Sequence, residues 1–143
     1  MTESAPSAVF HLAFPVDDLA IARAFYLGVL GCSEGRSSAT WVDFDFFGHQ
    51  ITAHLRLGGA TRVATNTVES KEIPVPHFGL VLDYSEWQRL VDRLRKLNVQ
   101  FLIEPFIRFP GKTGEQASFF IQDPSGNALE FKAFHDSAGL FAR

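Results

Sequence analysis

Hydrophobic and polar positions follow one another along the chain in an order that occurs twice. Residues 9–16 (VFHLAFPV) alternate as a half-buried strand does, and apolar residues recur at helical spacing over 19–30. The stretch 76–83 (PHFGLVLD) repeats the strand, and 85–98, with Ser85 as the expected cap, repeats the helix. Each pair is followed by segments that alternate as further strands. A unit that recurs within one chain predicts two similar βαβββ modules.

The pattern also predicts where the modules begin and end. We expect a single domain over 1–143, with a first module at about 8–57 and a second at about 75–135. The segment 58–74 between them is polar, small and rich in glycine and threonine, so we interpret these 17 residues as a linker. The predicted fold class is α+β, with the two modules forming a cupped mixed sheet. The later strands are predicted at 40–47, 49–57, 99–109, 115–122 and 127–134.

Strand parity places two histidines on faces with room above them. Successive side chains of a strand point to opposite faces, so His11 shares its face with the small Ala13, and His77 shares its face with Gly79. The bulky apolar residues of both strands lie on the other face, which we expect to pack on the helix of the same module. Glu130 lies within the apolar run of the last strand. Because burying a lone carboxylate is very costly, it must be paired, coordinated or solvated.

Two histidines and a carboxylate on such faces suggest a site for one divalent metal ion. Neutral imidazole and carboxylate suit Fe(II), Mn, Ni, Co and Zn, and two histidines with one carboxylate form the facial triad of non-haem Fe(II) enzymes. The alternatives are ordinary ones. A strand histidine such as His11 or His77 is often a satisfied core or surface residue, and Glu130 has Lys132 nearby as a salt-bridge partner.

Three motifs resemble one known group of proteins. HLAFPVDDLAIARAFYLGVLG at 11–31 resembles the opening of vicinal-oxygen-chelate proteins, which include glyoxalase I, type I extradiol dioxygenases and bleomycin-resistance proteins. HFGLVLD at 77–83 resembles the start of their second module, and DPSGNALEF at 123–131 resembles their closing Asp-Pro-x-Gly-x-x-x-Glu motif. The resemblance covers about 8–134, which is nearly the whole chain.

The resemblance implies a metal centre and a substrate class. By motif match, His11, His77 and Glu130 would be the metal ligands. A small-molecule substrate would chelate the metal through two neighbouring oxygen atoms. Members with four protein ligands carry a glutamate in the fourth strand, where this chain has GHQITAHLRL at 48–57 and no acid.

His54 is the candidate that follows from this departure. It stands either in place of the missing glutamate as a fourth ligand, or over the metal as an acid/base, or at the rim as a hydrogen-bonded residue. Aligning Gly48 with Gly126 makes Thr52 the counterpart of Glu130 and puts His54 one step further along the same face.

The missing acid favours the dioxygenase branch, with Fe(II) as the preferred metal and His54 as the acid/base. The rivals are a glyoxalase-like lyase or isomerase that uses Ni or Zn, and a drug-binding resistance protein without catalysis. Arg108, Gln116 and Tyr26 are further candidates, with Arg108 aimed at a substrate carboxylate. Fifteen phenylalanines suit an aromatic substrate, although an aromatic core explains them equally well.

Composition indicates which partners and which cellular location to expect. The chain is 46% hydrophobic with a formal charge of −3 and has no basic run, so we expect no nucleic-acid partner. No apolar run approaches the roughly 20 residues that span a bilayer. The lone Cys32 and an N-terminus unlike a signal peptide lead us to expect a cytoplasmic protein. We also expect a homodimer. The cup forms either within one chain or between modules of two chains, since the linker permits both.

Overall fold

A computed structural model of the chain describes residues 8–58, 64–68 and 70–141, with the side chains of all of these except 137 and 138. The chain divides into two compact units, Met1–Thr61 and Arg62–Arg143. Each unit contains one four-stranded mixed sheet with a helical segment after its first strand. The predicted α+β class with two similar four-stranded modules is therefore confirmed.

The first unit follows the predicted order of strand, helix and three strands. Its sheet has the order β1-β4-β3-β2, with β1 parallel to β4 and the other pairs antiparallel. Asp18 caps the helix, because its carboxylate accepts the backbone N–H of Ile21 at 2.9 Å. The elements are β1 (His11–Val16), α1 (Leu19–Arg23) continued by a π-helical segment (Ala24–Val29), β2 (Ser33–Ser37), β3 (Trp41–Phe46) and β4 (His49–Leu55).

The second unit repeats this plan after a two-stranded hairpin. The sheet order is β7-β10-β9-β8, with β7 parallel to β10. The elements are β5 (Ala64–Val68), β6 (Lys71–Val75), β7 (Phe78–Val81), α2 (Tyr84–Lys96), β8 (Ile103–Arg108), β9 (Gln116–Gln122), β10 (Ala128–Phe134) and a 3₁₀ helix (Ser137–Phe141).

The start of α2 differs from the prediction. Asp83 is the N-cap and accepts the backbone N–H of Glu86 at 2.8 Å. Ser85, which we expected to cap the helix, instead donates its hydroxyl to the Asp83 carboxylate at 2.8 Å. Both residue types favour the N-cap, and the ionised carboxylate is the stronger acceptor for an unpaired helix N–H.

The predicted apolar face of α2 packs on the sheet of its own unit. Trp87, Leu90, Val91 and Leu94 are buried, and the Trp87 indole N–H donates to the Phe131 carbonyl at 2.8 Å. Leu97 was also expected on this face but is 48% exposed, because it is the C-cap residue, where the chain leaves the helix. None of the helices in the described residues has the length and apolarity needed to cross a membrane.

The segment that we interpreted as a linker contains the hairpin β5–β6. Its strands pair from Ala64 with Val75 to Val68 with Lys71. Thr65 and Thr67 donate to the Glu72 carboxylate at 2.7 and 2.8 Å, so polar pairs join the strands on one face, while Ile73 on the other face is buried. The polar composition suggested a loop, although threonine and valine also favour strands. Residues 59–63 and 69 of the predicted linker lie outside the described residues, and the exact module bounds stay a prediction.

A glycine at the centre of the β7–β10 pair leads to a stability prediction. Gly79 pairs with Glu130, and a Cβ added at Gly79 would lie 2.6 Å from the Glu130 carbonyl carbon and 3.0 Å from its nitrogen. Because the obstacle is backbone, Gly79→Ala must push the strands apart. We expect it to lower the free energy of unfolding by about 3 kcal/mol, the upper end of the usual cost of overpacking, as measured by urea denaturation.

Gly28→Ala is the matched control, since a Cβ at this helical position would meet no heavy atom within 4 Å. We expect it to leave stability unchanged or to raise it slightly, because alanine favours a helix more than glycine does. Equal midpoints for the two variants would contradict the close approach of Gly79 to Glu130.

Candidate metal centre

Two of the three predicted ligands come together within the second unit. His77 immediately precedes β7, and Glu130 lies in the middle of β10. The parallel ladder places Gly79 beside Glu130, and the absence of a side chain at Gly79 permits this close approach. As a result, His77 Nε2 lies 3.1 Å from Glu130 Oε1.

The other ring nitrogen settles the tautomer of His77. Its Nδ1 lies 2.6 Å from the carbonyl oxygen of Pro74, which can only accept, so Nδ1 carries a hydrogen and donates it. In the neutral imidazole, the lone pair of Nε2 would then face the carboxylate of Glu130. Two acceptors at this distance need a cation between or beside them, either a proton on Nε2 or a metal ion. In the protein alone, the hydrogen bond to Glu130 raises the pKa of His77 against the opposing effect of burial, and the bond to Pro74 adds to this rise.

The second carboxylate oxygen of Glu130, Oε2, has hydrogen-bond partners of its own. It is 6% exposed, and its Oε2 accepts the Ser118 hydroxyl at 2.6 Å and a guanidinium N–H of Arg108 at 3.3 Å. Burial alone would raise the pKa of Glu130. The hydrogen bonds from His77 and Ser118, together with the charges of Lys132 and His77, outweigh it and lower that pKa. Glu130 is therefore ionised at neutral pH, and Oε1 is the oxygen turned toward His77.

This arrangement fits two ligands of one metal ion. Bonds of about 2.1 Å from a metal to nitrogen and oxygen, at a right angle to each other, separate the two atoms by about 3.0 Å. The observed 3.1 Å between His77 Nε2 and Glu130 Oε1 matches this separation. The hydrogen bond from Nδ1 to a carbonyl is also the usual support of a metal-binding histidine. Within the described residues of this unit, no third histidine, cysteine, aspartate or glutamate completes a metal-binding group.

The first unit has a different residue at the position equivalent to Glu130. His11 pairs with Gln50, so the residue two steps further along, Ala13, pairs with Thr52. In the second unit the residue two steps beyond His77 pairs with Glu130. Thr52 is therefore the counterpart of Glu130. This register agrees with the alignment of Gly48 with Gly126 and not with the one that puts His54 in place of the glutamate.

The Thr52 hydroxyl donates to Asp43 at 2.6 Å, and Gln50 donates to the same carboxylate at 3.3 Å. Sequence reasoning did not single out Asp43. The alternation of WVDFDF over 41–46 carries the signal, since it puts Asp43 on the face opposite Val42 and Phe44.

His11 and His54 lie on this same face of the first sheet and are both exposed. They occupy different levels of the ladder, because His11 pairs with Gln50 whereas His54 pairs with Pro15. Four residues of strand separate the two levels, which is about 13 Å. The first unit therefore does not bring His11 and His54 together, and the roles predicted for them stay predictions.

Three other side chains of the first unit, Tyr26, Cys32 and His49, are held by burial or by a hydrogen bond. Tyr26 is fully buried and stacks on Phe44 with ring centroids 5.0 Å apart, so it is a core residue of the first unit. Burial, with a smaller contribution from the charge of Asp45, raises the pKa of Cys32 to about 11, which keeps the thiol protonated at neutral pH. His49 accepts the backbone N–H of Phe10 at 3.2 Å.

Gln116 has a buried amide that is only half satisfied. The residue is 6% exposed, and its Nε2 donates to the Gly114 carbonyl at 3.2 Å. Its Oε1 is buried and has no hydrogen-bond partner among the described residues. Such a group costs about 1–3 kcal/mol of stability, so its presence calls for an explanation.

Comparisons with known proteins agree with this architecture. The family model of the glyoxalase/bleomycin resistance protein/dioxygenase superfamily matches residues 8–131. A crystal structure of a glyoxalase/bleomycin resistance protein/dioxygenase from Alicyclobacillus acidocaldarius is 31% identical with a TM-score of 0.79, covering 97% of this chain and 100% of the other. No curated protein is similar enough to count as a match.

Two more distant structures share the fold. Lactoylglutathione lyase from Agrobacterium tumefaciens is 22% identical with a TM-score of 0.65, over 98% of this chain and 100% of the other. A fosfomycin resistance protein from Listeria monocytogenes is 18% identical with a TM-score of 0.66, over 95% and 100%. The family model spans both units, and the Alicyclobacillus protein covers nearly the whole chain. The chain therefore belongs to the glyoxalase/bleomycin resistance protein/dioxygenase superfamily.

Proposed function

We propose that this protein is a metal-dependent enzyme that acts on a small molecule with two neighbouring oxygen atoms. His77 and Glu130 hold one divalent transition metal, with Fe(II) favoured over Mn, Ni, Co and Zn. The observation that carries the proposal is the imidazole lone pair turned toward an ionised carboxylate at 3.1 Å, an arrangement that a cation completes. The motif match supplies His11 as the third ligand.

The residues around the pair hold it ready for a metal. The Pro74 carbonyl fixes the tautomer of His77, and Ser118 fixes the carboxylate of Glu130. When bound, the metal supplies Lewis acidity and a template on which substrate oxygens are oriented. Both partners are buried, which favours a fixed position of the two ligand atoms.

The register of the first sheet favours a three-ligand centre over a four-ligand one. Thr52 stands where a lyase or isomerase with four protein ligands would need an acid, and its hydroxyl is committed to Asp43. Three protein ligands leave positions open for both a substrate and O₂, which supports the dioxygenase branch. His54, one step further on the same face as Thr52, is our candidate to move a proton during turnover.

Metal analysis joined to oxygen uptake tests the proposal. We expect protein purified without oxygen or chelator to contain about one divalent transition metal per chain and to consume O₂ when given catechol-type substrates. Metal binding without oxygen consumption on such substrates would favour the glyoxalase-like alternative. No metal, and no affinity for Fe, Mn, Ni, Co or Zn, would overturn the proposal and favour a binding protein. The homodimer and the cytoplasmic location also remain predictions.

A further inference from the structure

More than one positively charged side chain lies near the single negative charge of Glu130. The Arg108 guanidinium contacts its Oε2 at 3.3 Å, and Arg108 is largely buried, with a side chain 14% exposed. Lys132 lies two residues further along β10 on the same face, and its charge acts on both His77 and Glu130. A divalent ion at His77 and Glu130 would add to this excess of positive charge. Arg108 therefore opposes metal binding by Coulomb repulsion, and its presence needs another reason.

The residue with the unsatisfied amide is the cross-strand neighbour of this arginine. Gln116 on β9 pairs with Arg108 on β8, so the two side chains project from the same face of the sheet. Ser118, two residues along β9, is on that face as well and binds Glu130. The Gly114 carbonyl can only accept, so the amide nitrogen of Gln116 must point to it. Oε1 is then an acceptor for which the described residues provide no donor.

We propose that Arg108 and Gln116 form a recognition pair for an oxyanion that retains a hydrogen-bond donor. The guanidinium binds the anionic oxygens, and Gln116 Oε1 accepts an O–H of the same group. A carboxylate with an adjacent hydroxyl and a singly protonated phosphate or phosphonate both have this chemistry. In the protein alone, Arg108 forms an ion pair with Glu130.

This inference deepens the proposed function and rests on it, because it names the substrate class of the same site. Guanidinium binds oxyanions through paired N–H groups. A buried acceptor discriminates strongly, since an anion without a hydrogen leaves it unsatisfied and adds repulsion between two oxygens. The pair should therefore separate two anions of similar shape, phosphate, which keeps an O–H at neutral pH, and sulfate, which does not.

Isothermal titration calorimetry with inorganic phosphate and with sulfate tests the pair. The protein is used both metal-free and loaded with one equivalent of Mn(II). We expect phosphate to bind about 10-fold more tightly than sulfate, the worth of one hydrogen bond. Gln116→Leu should weaken phosphate binding, because the hydrogen bond is lost, and strengthen sulfate binding, because the repulsion is removed, so that the two affinities become similar. Arg108→Met should weaken both anions at least about 10-fold. Arg89→Met, which removes an exposed charge on α2, is the control and should change neither.

The comparison of the two anions needs no variant, so it stays informative even if a substitution impairs folding. Equal affinities for phosphate and sulfate, or a preference that survives Gln116→Leu, would overturn the inference. Failure of both anions to bind would overturn it too. Metal content measured on the same samples tests the metal site separately from the recognition pair. If none of Mn, Fe, Ni, Co and Zn is taken up, the proposed function fails, and the titration of metal-free protein still decides the recognition pair.

Discussion

Glu130→Gln is expected to lower the affinity for a divalent transition metal by at least about 100-fold while the protein stays folded. Substitutions of residues that only support a ligand already cost 10–100-fold, so loss of the ligand itself should cost more. The amide has nearly the shape of the carboxylate. Its oxygen can still accept from Ser118, and its N–H₂ can donate to His77 Nε2, so the buried groups keep their partners.

Glu130→Ala and His77→Ala should abolish metal binding as well. The alanine at Glu130 also leaves Ser118 and Arg108 without their carboxylate, which mixes a folding effect into the result. The glutamine variant avoids this and is the sharper test. Glu104→Gln removes the same charge at an exposed position of β8 and serves as the control. Wild-type metal affinity in Glu130→Gln, measured by calorimetry alongside thermal denaturation, would exclude Glu130 as a ligand.

His54→Ala is expected to leave the metal content intact and to reduce turnover about 10²–10⁴-fold, the usual contribution of general acid–base catalysis. The physical reason is its position. His54 is exposed on the polar face of β4, one step beyond the counterpart of Glu130, and it is a residue type that exchanges protons near neutral pH. The measurement is paired metal analysis and steady-state kinetics on one preparation.

His135→Ala is the matched control, since its side chain is 80% exposed after the last strand of the second unit. It should change neither metal content nor turnover. Loss of metal together with activity in His54→Ala would make His54 a fourth ligand and move the protein to the lyase and isomerase branch. Unchanged metal and unchanged turnover would make it a rim residue without a chemical role.

Much of the fold could be predicted from local pattern. Alternation located β1, β3, β4, β9 and β10, and helical spacing located α2 to within two residues at each end. These signals are local, because a strand or helix buries one face and repeats its apolar residues with a fixed period. The hairpin β5–β6 escaped prediction, since polar pairs between Glu72 and two threonines occupy one of its faces and give the segment the polar composition of a loop.

The sequence by itself determined the family resemblance, the repeat, and the requirement that Glu130 have a partner, because a buried carboxylate without a partner is very costly in any fold. Tertiary structure decided what that partner is. Strand register brought His77, Ser118 and Arg108 around Glu130, made Thr52 its counterpart in the first unit, and set Gln116 beside Arg108. Register joins residues far apart in the chain, and a shift of one residue would turn each side chain to the other face of its sheet. For that reason no local pattern could specify these neighbours.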